Sequence, residues 1–260
     1  MAGKLVWVNG HNLFVEQHGT SDGPAVVLLH HGMGSVSAWK AQVPALEAAG
    51  YRVVAYDRWG YGRSEPRSSL SAPYFEEDIA DLDKLLVVLD LACPILLGHS
   101  DGGTIALYYA ARYPQRVKSL IVVAAHIYVE DRMHPGIEIV RDAYQNNERF
   151  RKSLVRQHGA QADAVFSNWY VGWVKPANLN WDMRPLLGKI NCPTLVVQGM
   201  EDEHATPQHA RDIAAGIPGA ELWLADGARH MLPQEMPDRF NQRILDFLVE
   251  VAKKESQYVQ

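Results

Sequence analysis

Cysteine is scarce, with 2 among 260 residues, and Cys93 and Cys192 each stand directly before a proline. Neither looks like half of a disulfide framework, so both are expected as buried thiols in a reducing compartment. A basic excess is also missing. The 25 Lys and Arg face 30 Asp and Glu, a net charge of −5, which argues against a nucleic-acid partner. No window approaches the ~18 apolar residues of a membrane span, and the N-terminal residues lack the apolar run of a signal peptide. The expectation is therefore a soluble, cytoplasmic chain with no membrane partner. Repeats of fixed period, collagen-like glycine and disorder-prone composition are absent too, and nothing in the sequence specifies an oligomeric state.

What the chain does contain is alternation. Apolar, β-branched runs recur between helical stretches, the pattern of a mostly parallel sheet with helices on both faces. Strands are expected at 4–8, 13–18, 25–30, 52–56, 94–98, 119–123, 194–198 and 221–224. Several are continuously apolar, as in Val26-Val27-Leu28-Leu29, which fits strands covered on both sides. The first two, joined by Asn9-Gly10, read as an edge hairpin. Helices are expected at 38–49, 75–91, 101–112, 207–215 and 237–253. The stretch 127–185 breaks this rhythm. It has no strand-like run, has helical spacing at Ile137, Val140, Arg141 and Tyr144, and is rich in aromatics, so it reads as a helical insertion between two strands.

Gly98-His99-Ser100-Asp101-Gly102 follows an apolar strand and opens an apolar helix, the context that a G-x-S-x-G nucleophile elbow requires. Glycines two residues either side of the serine leave room for a tight backbone crossing, and the helix N-terminus behind it favours developing negative charge. A serine needs a base, and the base an orienting acid. In the order serine, acid, histidine, the acid is Asp202, just past the strand at 194–198, and the base is His230, after the strand at 221–224. The rival readings are a solvated acidic loop at Glu201-Asp202-Glu203-His204 and another of the eleven histidines as base. Two backbone amides would form an oxyanion hole: Asp101, after the nucleophile, and Met33, in His30-His31-Gly32-Met33-Gly34. The His30/His31 pair has no metal-ligand spacing around it, so no metal is expected.

These motifs resemble the α/β-hydrolase family, together with Asp57-Arg58-Trp59-Gly60-Tyr61-Gly62-Arg63-Ser64 and Gly199-Met200-Glu201-Asp202. The G-x-G in the first of these meets Glu65 where a dinucleotide fingerprint needs glycine, which argues against nucleotide binding. The resemblance spans nearly the whole chain. It implies an α/β-hydrolase fold with an eight-stranded sheet, a core at 1–126 and 186–260, and a small helical cap at 127–185. It also implies a Ser100–Asp202–His230 triad, no cofactor, and a small-molecule ester substrate cleaved through an acyl-enzyme. A nucleophilic aspartate, as in dehalogenases and epoxide hydrolases, is excluded by Ser100. Lactone opening, C–C hydrolysis, perhydrolysis and a ligand receptor without turnover could use the same parts.

Asp101 is the unusual residue, because a carboxylate beside an oxyanion hole opposes the charge that must develop there. Either a neighbour such as Arg58, Arg63 or His126 neutralises it, or it faces the acyl pocket and attracts a cation. The form Ser100-Asp101-Gly102-Gly103 is similar to the elbow of α-amino-acid ester hydrolases in the family, where the equivalent acid holds the substrate's α-ammonium group. Three further candidates for substrate binding are His126, Trp169 and Trp173. The two tryptophans, four apart, share a helix face that the spacing assigns first to the insertion's own core and second to a substrate wall.

Overall fold

The computed structural model describes residues 3–258. Eight strands form one sheet: β1 (Lys4–Val8), β2 (His11–His18), β3 (Ala25–Leu29), β4 (Arg52–Tyr56), β5 (Ile95–His99), β6 (Ser119–Val123), β7 (Thr194–Gly199) and β8 (Glu221–Ala225). Their spatial order is β1-β2-β4-β3-β5-β6-β7-β8. β2 runs antiparallel to both β1 and β4, and every other neighbouring pair is parallel. The β1–β2 hairpin turns through Asn9 and Gly10, both with positive φ (46° and 95°), as a two-residue hairpin turn demands. This tight turn brings His11 opposite Val8 and starts β2 two residues earlier than its apolar pattern indicates.

Ten helices accompany the sheet among the described residues: α1 (Gln42–Ala48), α2 (Glu76–Val88), α3 (Asp101–Arg112), α4 (Met133–Asn146), α5 (Glu148–His158), α6 (Ala162–Trp173), α7 (Arg184–Leu187), α8 (Gln208–Gly216), α9 (Leu232–Glu235) and α10 (Pro237–Tyr258). Side chains alternate across each strand, so the sheet divides its own residues between two cores. Val27, Leu29, Leu96 and Val122 pack with apolar residues of α2, α3 and α8. Val26, Leu28, Leu97 and Val123 face the other way, onto Leu46 of α1 and Phe240, Ile244 and Phe247 of α10.

Local sequence explains where elements depart from the expected limits. The helix expected from residue 38 begins at Gln42, after a 3-10 turn over Val36–Trp39. Only that start puts Pro44 in the first turn, where its missing N–H is not needed. α2 stops at Val88 because Asp90 turns left-handed (φ 54°) and Leu91 N–H closes back on Leu86 O at 2.9 Å, a common helix ending. One cysteine expectation is corrected. Cys192 is buried, but Cys93 is exposed, because β5 begins only at Ile95 and leaves residue 93 in the surface turn before it.

Between β6 and β7 the chain leaves the sheet for α4, α5 and α6. The exit and return are strapped together by Met183 N–H to Ile127 O (2.8 Å) and Val129 N–H to Trp181 O (3.2 Å). The three helices have a small core of their own around Leu154, Ala162 and Phe166, and they lie over the carboxyl ends of the strands, where α/β sheets place ligands. The order reverses between β3 and β5, and the Ser100 turn sits at that switch point.

Candidate active site

Ser100 sits on the sharp turn between β5 and α3 with φ 53° and ψ −121°, a conformation that L residues avoid unless the surroundings impose it. The surroundings here are close-packed backbone. A methyl on Gly98 would lie 2.3 Å from Gly102 O, and one on Gly102 would lie 2.1 Å from Leu29 O. Ser100 N–H donates to Val123 O (2.8 Å), which ties the turn to β6.

His230 Nε2 lies 3.0 Å from Ser100 Oγ, and its Nδ1 lies 3.0 and 3.1 Å from the two oxygens of Asp202. Asp202 accepts further bonds from the His204 and Ala205 amides and from Gln198 Nε2. Since a carboxylate only accepts, Nδ1 carries the proton and Nε2 is the bare nitrogen facing the serine. The loops are joined backbone to backbone. Glu201 N–H reaches Ala228 O (2.9 Å), Gly199 approaches the same carbonyl too closely to admit a methyl group, and His99 Nε2 binds His230 O at 2.9 Å. Burial pushes the Asp202 acid up, but His230 beside it and the amide bonds hold it well below the usual carboxylate range. Burial pushes His230 down, and the Asp202 charge and hydrogen bond outweigh that and raise it.

Met33 stands in a left-handed conformation (φ 59°) in the turn that Gly34 N–H closes on His31 O. Neither the Met33 nor the Asp101 amide donates to another group among the described residues, and both residues line the cavity containing Ser100. That cavity holds about 660 Å³. Met133, Ile137, Phe150 and Leu154 from the insertion form its apolar wall, with Trp169 and Trp173 beside them. The tryptophans thus depart from the first reading of their spacing. Both face the cavity, and Trp173 is buried in the main core against Phe75 and Trp181, not in the insertion's own small core.

Of the three groups offered as neutralisers of Asp101, the structure selects Arg58, whose Nη2 lies 3.4 Å from Asp101 Oδ2. Arg63 instead pairs with Glu16 at 2.7 Å, and His126 turns its Nε2 to His204 O. Arg58 also binds Asp78 (3.1 Å), which in turn binds Arg67 (2.7 Å). These two arginines and two aspartates are all nearly inaccessible. Burial raises the Asp101 acid, while the Arg58 charge and the nearby Trp173 indole N–H act against the rise. Its second oxygen has no hydrogen-bond partner among the described residues. His126 also lines the cavity, with Nδ1 buried and unpartnered. Burial pushes the other histidines around the site down, His31 and His204 to about 4 and His126 to about 3, so at neutral pH they are uncharged.

Several contributors escaped sequence reasoning. The apolar wall of α4 and α5 left only the helical period at Ile137 and Val140 as a signal.

An open, mostly parallel sheet with a serine on a strained turn at its switch point, covered by an inserted helical layer, is the architecture of a hydrolase. The α/β hydrolase fold family model matches residues 24–180, and the chain belongs to that family. It is 34% identical over 248 residues to human serine hydrolase BPHL, covering 94% of this chain and 85% of that one. It is 28% identical over 256 residues to a 2-hydroxy-6-oxononadienedioate/2-hydroxy-6-oxononatrienedioate hydrolase of Paraburkholderia xenovorans, covering 86% of each. Among solved structures, the enol-lactonase of Burkholderia xenovorans is similar, with a TM-score of 0.77 at 25% identity over 95% of this chain and all of that one. No helix among the described residues is long and apolar enough to cross a membrane.

Proposed function

We propose that this protein is a serine hydrolase of small carboxylic esters, with residues 127–185 acting as its cap. The observation that carries this reading is the continuous relay from Ser100 Oγ to His230 Nε2 (3.0 Å) and from His230 Nδ1 to Asp202 (3.0 Å). Ser100 attacks the acyl carbon while His230 takes its proton, and Asp202 holds the imidazole in the tautomer that can accept it. The oxygen that becomes negative is stabilised by the amides of Met33 and Asp101. His230 then passes its proton to the departing alkoxide, leaving an acyl-enzyme. Water, deprotonated by His230, attacks that acyl group and restores Ser100. The chain's own groups supply every proton transfer in this sequence, and the two free cysteines fit a reducing, cytoplasmic setting.

The test is Ser100→Ala against an aryl ester. The variant should stay folded and lose at least ~10³-fold in kcat, and an organophosphate should label the parent enzyme once, at Ser100. Retention of ester hydrolysis by Ser100→Ala would overturn the triad. Because relatives are named for C–C and lactone substrates, a lactone and a vinylogous diketone belong in the same panel. Faster turnover of either than of the ester would move the reaction class while keeping the relay. Labelling without turnover would leave a receptor.

A second reading concerns the acyl group. Asp101 lines the cavity with one oxygen unpartnered, which supports an α-ammonium group as part of the substrate, as in an α-amino-acid ester. His126 Nδ1 and the indole faces of Trp169 and Trp173 supply the neighbouring acceptor and walls.

A further inference from the structure

The inserted helices do more than roof the cavity. His158, the last residue of α5, reaches down into the sheet domain and is buried there. Its Nδ1 lies 2.8 Å from Gly62 N, which can only donate, so Nδ1 is the bare acceptor. The ring proton therefore sits on Nε2, which donates to Met33 O at 2.9 Å. Two neighbours on the same turn grip the same loops. Gln161 Nε2 donates to Gly62 O (2.8 Å) and Ser64 O (3.1 Å), and Gln157 Oε1 accepts from the hydroxyls of Ser35 and Ser37 (both 3.3 Å). The Met33 side chain packs on the insertion's small core around Leu154 and Phe166.

Met33 occupies the position of its turn that needs positive φ and normally takes glycine. A non-glycine residue persists there only when its surroundings over-determine it. The carbonyl of Met33 belongs to the peptide that follows it, while its own N–H, which donates to no group among the described residues, belongs to a residue lining the cavity. Fixing that carbonyl therefore fixes ψ at residue 33, and with the turn bond from Gly34 N–H to His31 O the amide direction has little freedom left.

We propose that His158 is a positioning residue for catalysis: it clamps the Met33 peptide between the inserted helices and the Gly62 loop, and so aims the Met33 amide at the transition-state oxyanion. This rests on the reading of Met33 as an oxyanion donor. It makes the insertion part of the catalytic apparatus without any of its residues reacting. Burial lowers His158, which keeps the ring neutral and the Gly62 bond intact at neutral pH.

The test is a set of three variants, assayed on an aryl ester and with phenylboronic acid, whose tetrahedral adduct on Ser100 carries the oxyanion. His158→Leu keeps bulk and loses both bonds, and His158→Asn is too short to make them. His158→Gln can place an N–H on Met33 O and an oxygen on Gly62 N–H. Since removing a whole oxyanion donor costs about 10²–10³-fold, mispositioning one should lower kcat by about 10- to 100-fold in Leu and Asn, with KM within about 3-fold. The boronate Ki should weaken in parallel, and Gln should restore most of the loss. Normal kcat in folded Leu and Asn variants overturns the proposal. So does a loss confined to KM, a Gln variant as poor as Leu, or collapse of the fold in all three. Failure of the underlying site reading shows separately, as ester hydrolysis persisting in Ser100→Ala with His158 intact.

Discussion

Arg58 and Asp101 form a buried pair, Nη2 to Oδ2 at 3.4 Å, at the residue that directly follows Ser100. Among the described residues Arg58 is the one arginine that touches both Asp101 and Asp78, so removing it leaves the buried Asp101 carboxylate without its cation and Asp78 with Arg67 alone. Arg58→Met should destabilise the protein by about 3–5 kcal/mol, the cost of breaking a buried pair from one side. Chemical denaturation measures it. A change below about 1 kcal/mol would mean that Arg67 alone balances the cluster.

The same pair sets an expectation for specificity. Arg58 offsets part of the Asp101 charge, yet its hydrogen bond reaches only one carboxylate oxygen, and Asp101 lines the cavity. An ester bearing an α-ammonium group should have a higher kcat/KM than a neutral ester of equal size and leaving group. Asp101→Asn keeps the backbone amide and should erase the preference, costing the amino ester at least about 30-fold, as for truncation of one side of a buried charge pair. Equal rates on the two esters with the parent enzyme would make Asp101 structural.

The pH dependence of activity and that of stability should run in opposite directions. His230 must be neutral to accept the serine proton, and its folded value is raised above the ordinary 6.5. Activity should therefore rise with pH through a midpoint above 6.5. In Asp202→Asn, where burial acts on His230 without the carboxylate, that midpoint should fall, along with a loss of about 10⁴-fold in kcat. The contribution of His230 to stability is full below 6.5 and is lost as pH rises through its folded value. The contribution of Asp202, whose acid is depressed from 3.8, is full above 3.8 and is lost as pH falls through its lower folded value. The pair thus stabilises the fold most between about 4 and 6.5, where activity is already declining. Denaturant midpoints and kcat/KM over the same pH series check this.

Much of the architecture was legible because parallel strands buried on both faces are written as unbroken apolar runs, and because the order serine, acid, histidine follows strand ends. Ser100, Asp202 and His230 come together since each lies just past a strand that the apolar pattern marks. Contacts between a side chain and a distant backbone carbonyl carry no such pattern, so His158 on Met33 O and Gln161 on Gly62 O were invisible. The partner of Asp101 was narrowed to three groups, and only the fold could choose among them, since Arg58 and Arg63 stand five residues apart on one loop and point to opposite sides. Cys93 is exposed where its sequence context points to burial, because a Cys-Pro step looks the same whether the strand starts at it or after it.

Two glycines near the serine should respond differently to the same added methyl group. At Gly102 the new carbon would lie 2.1 Å from Leu29 O and 2.7 Å from His30 O. Both are backbone atoms held by the sheet, so the elbow and β3 must separate. Gly102→Ala should therefore destabilise the fold by more than the ~1–3 kcal/mol typical of core overpacking, and lose activity with it. At Gly32 the new carbon would meet Trp169 Nε1 at 2.5 Å and Asp101 Oδ2 at 2.9 Å, both side-chain atoms, and Trp169 lines the open cavity. The indole can swing away, so Gly32→Ala should keep its thermal midpoint within a few degrees, a loss of about 1 kcal/mol or less. It should instead raise KM and change the ranking of acyl groups, because the wall they lean on has moved. Thermal melts and a panel of acyl chain lengths distinguish the two variants. Unaltered acyl preference in Gly32→Ala would remove Trp169 from the substrate wall.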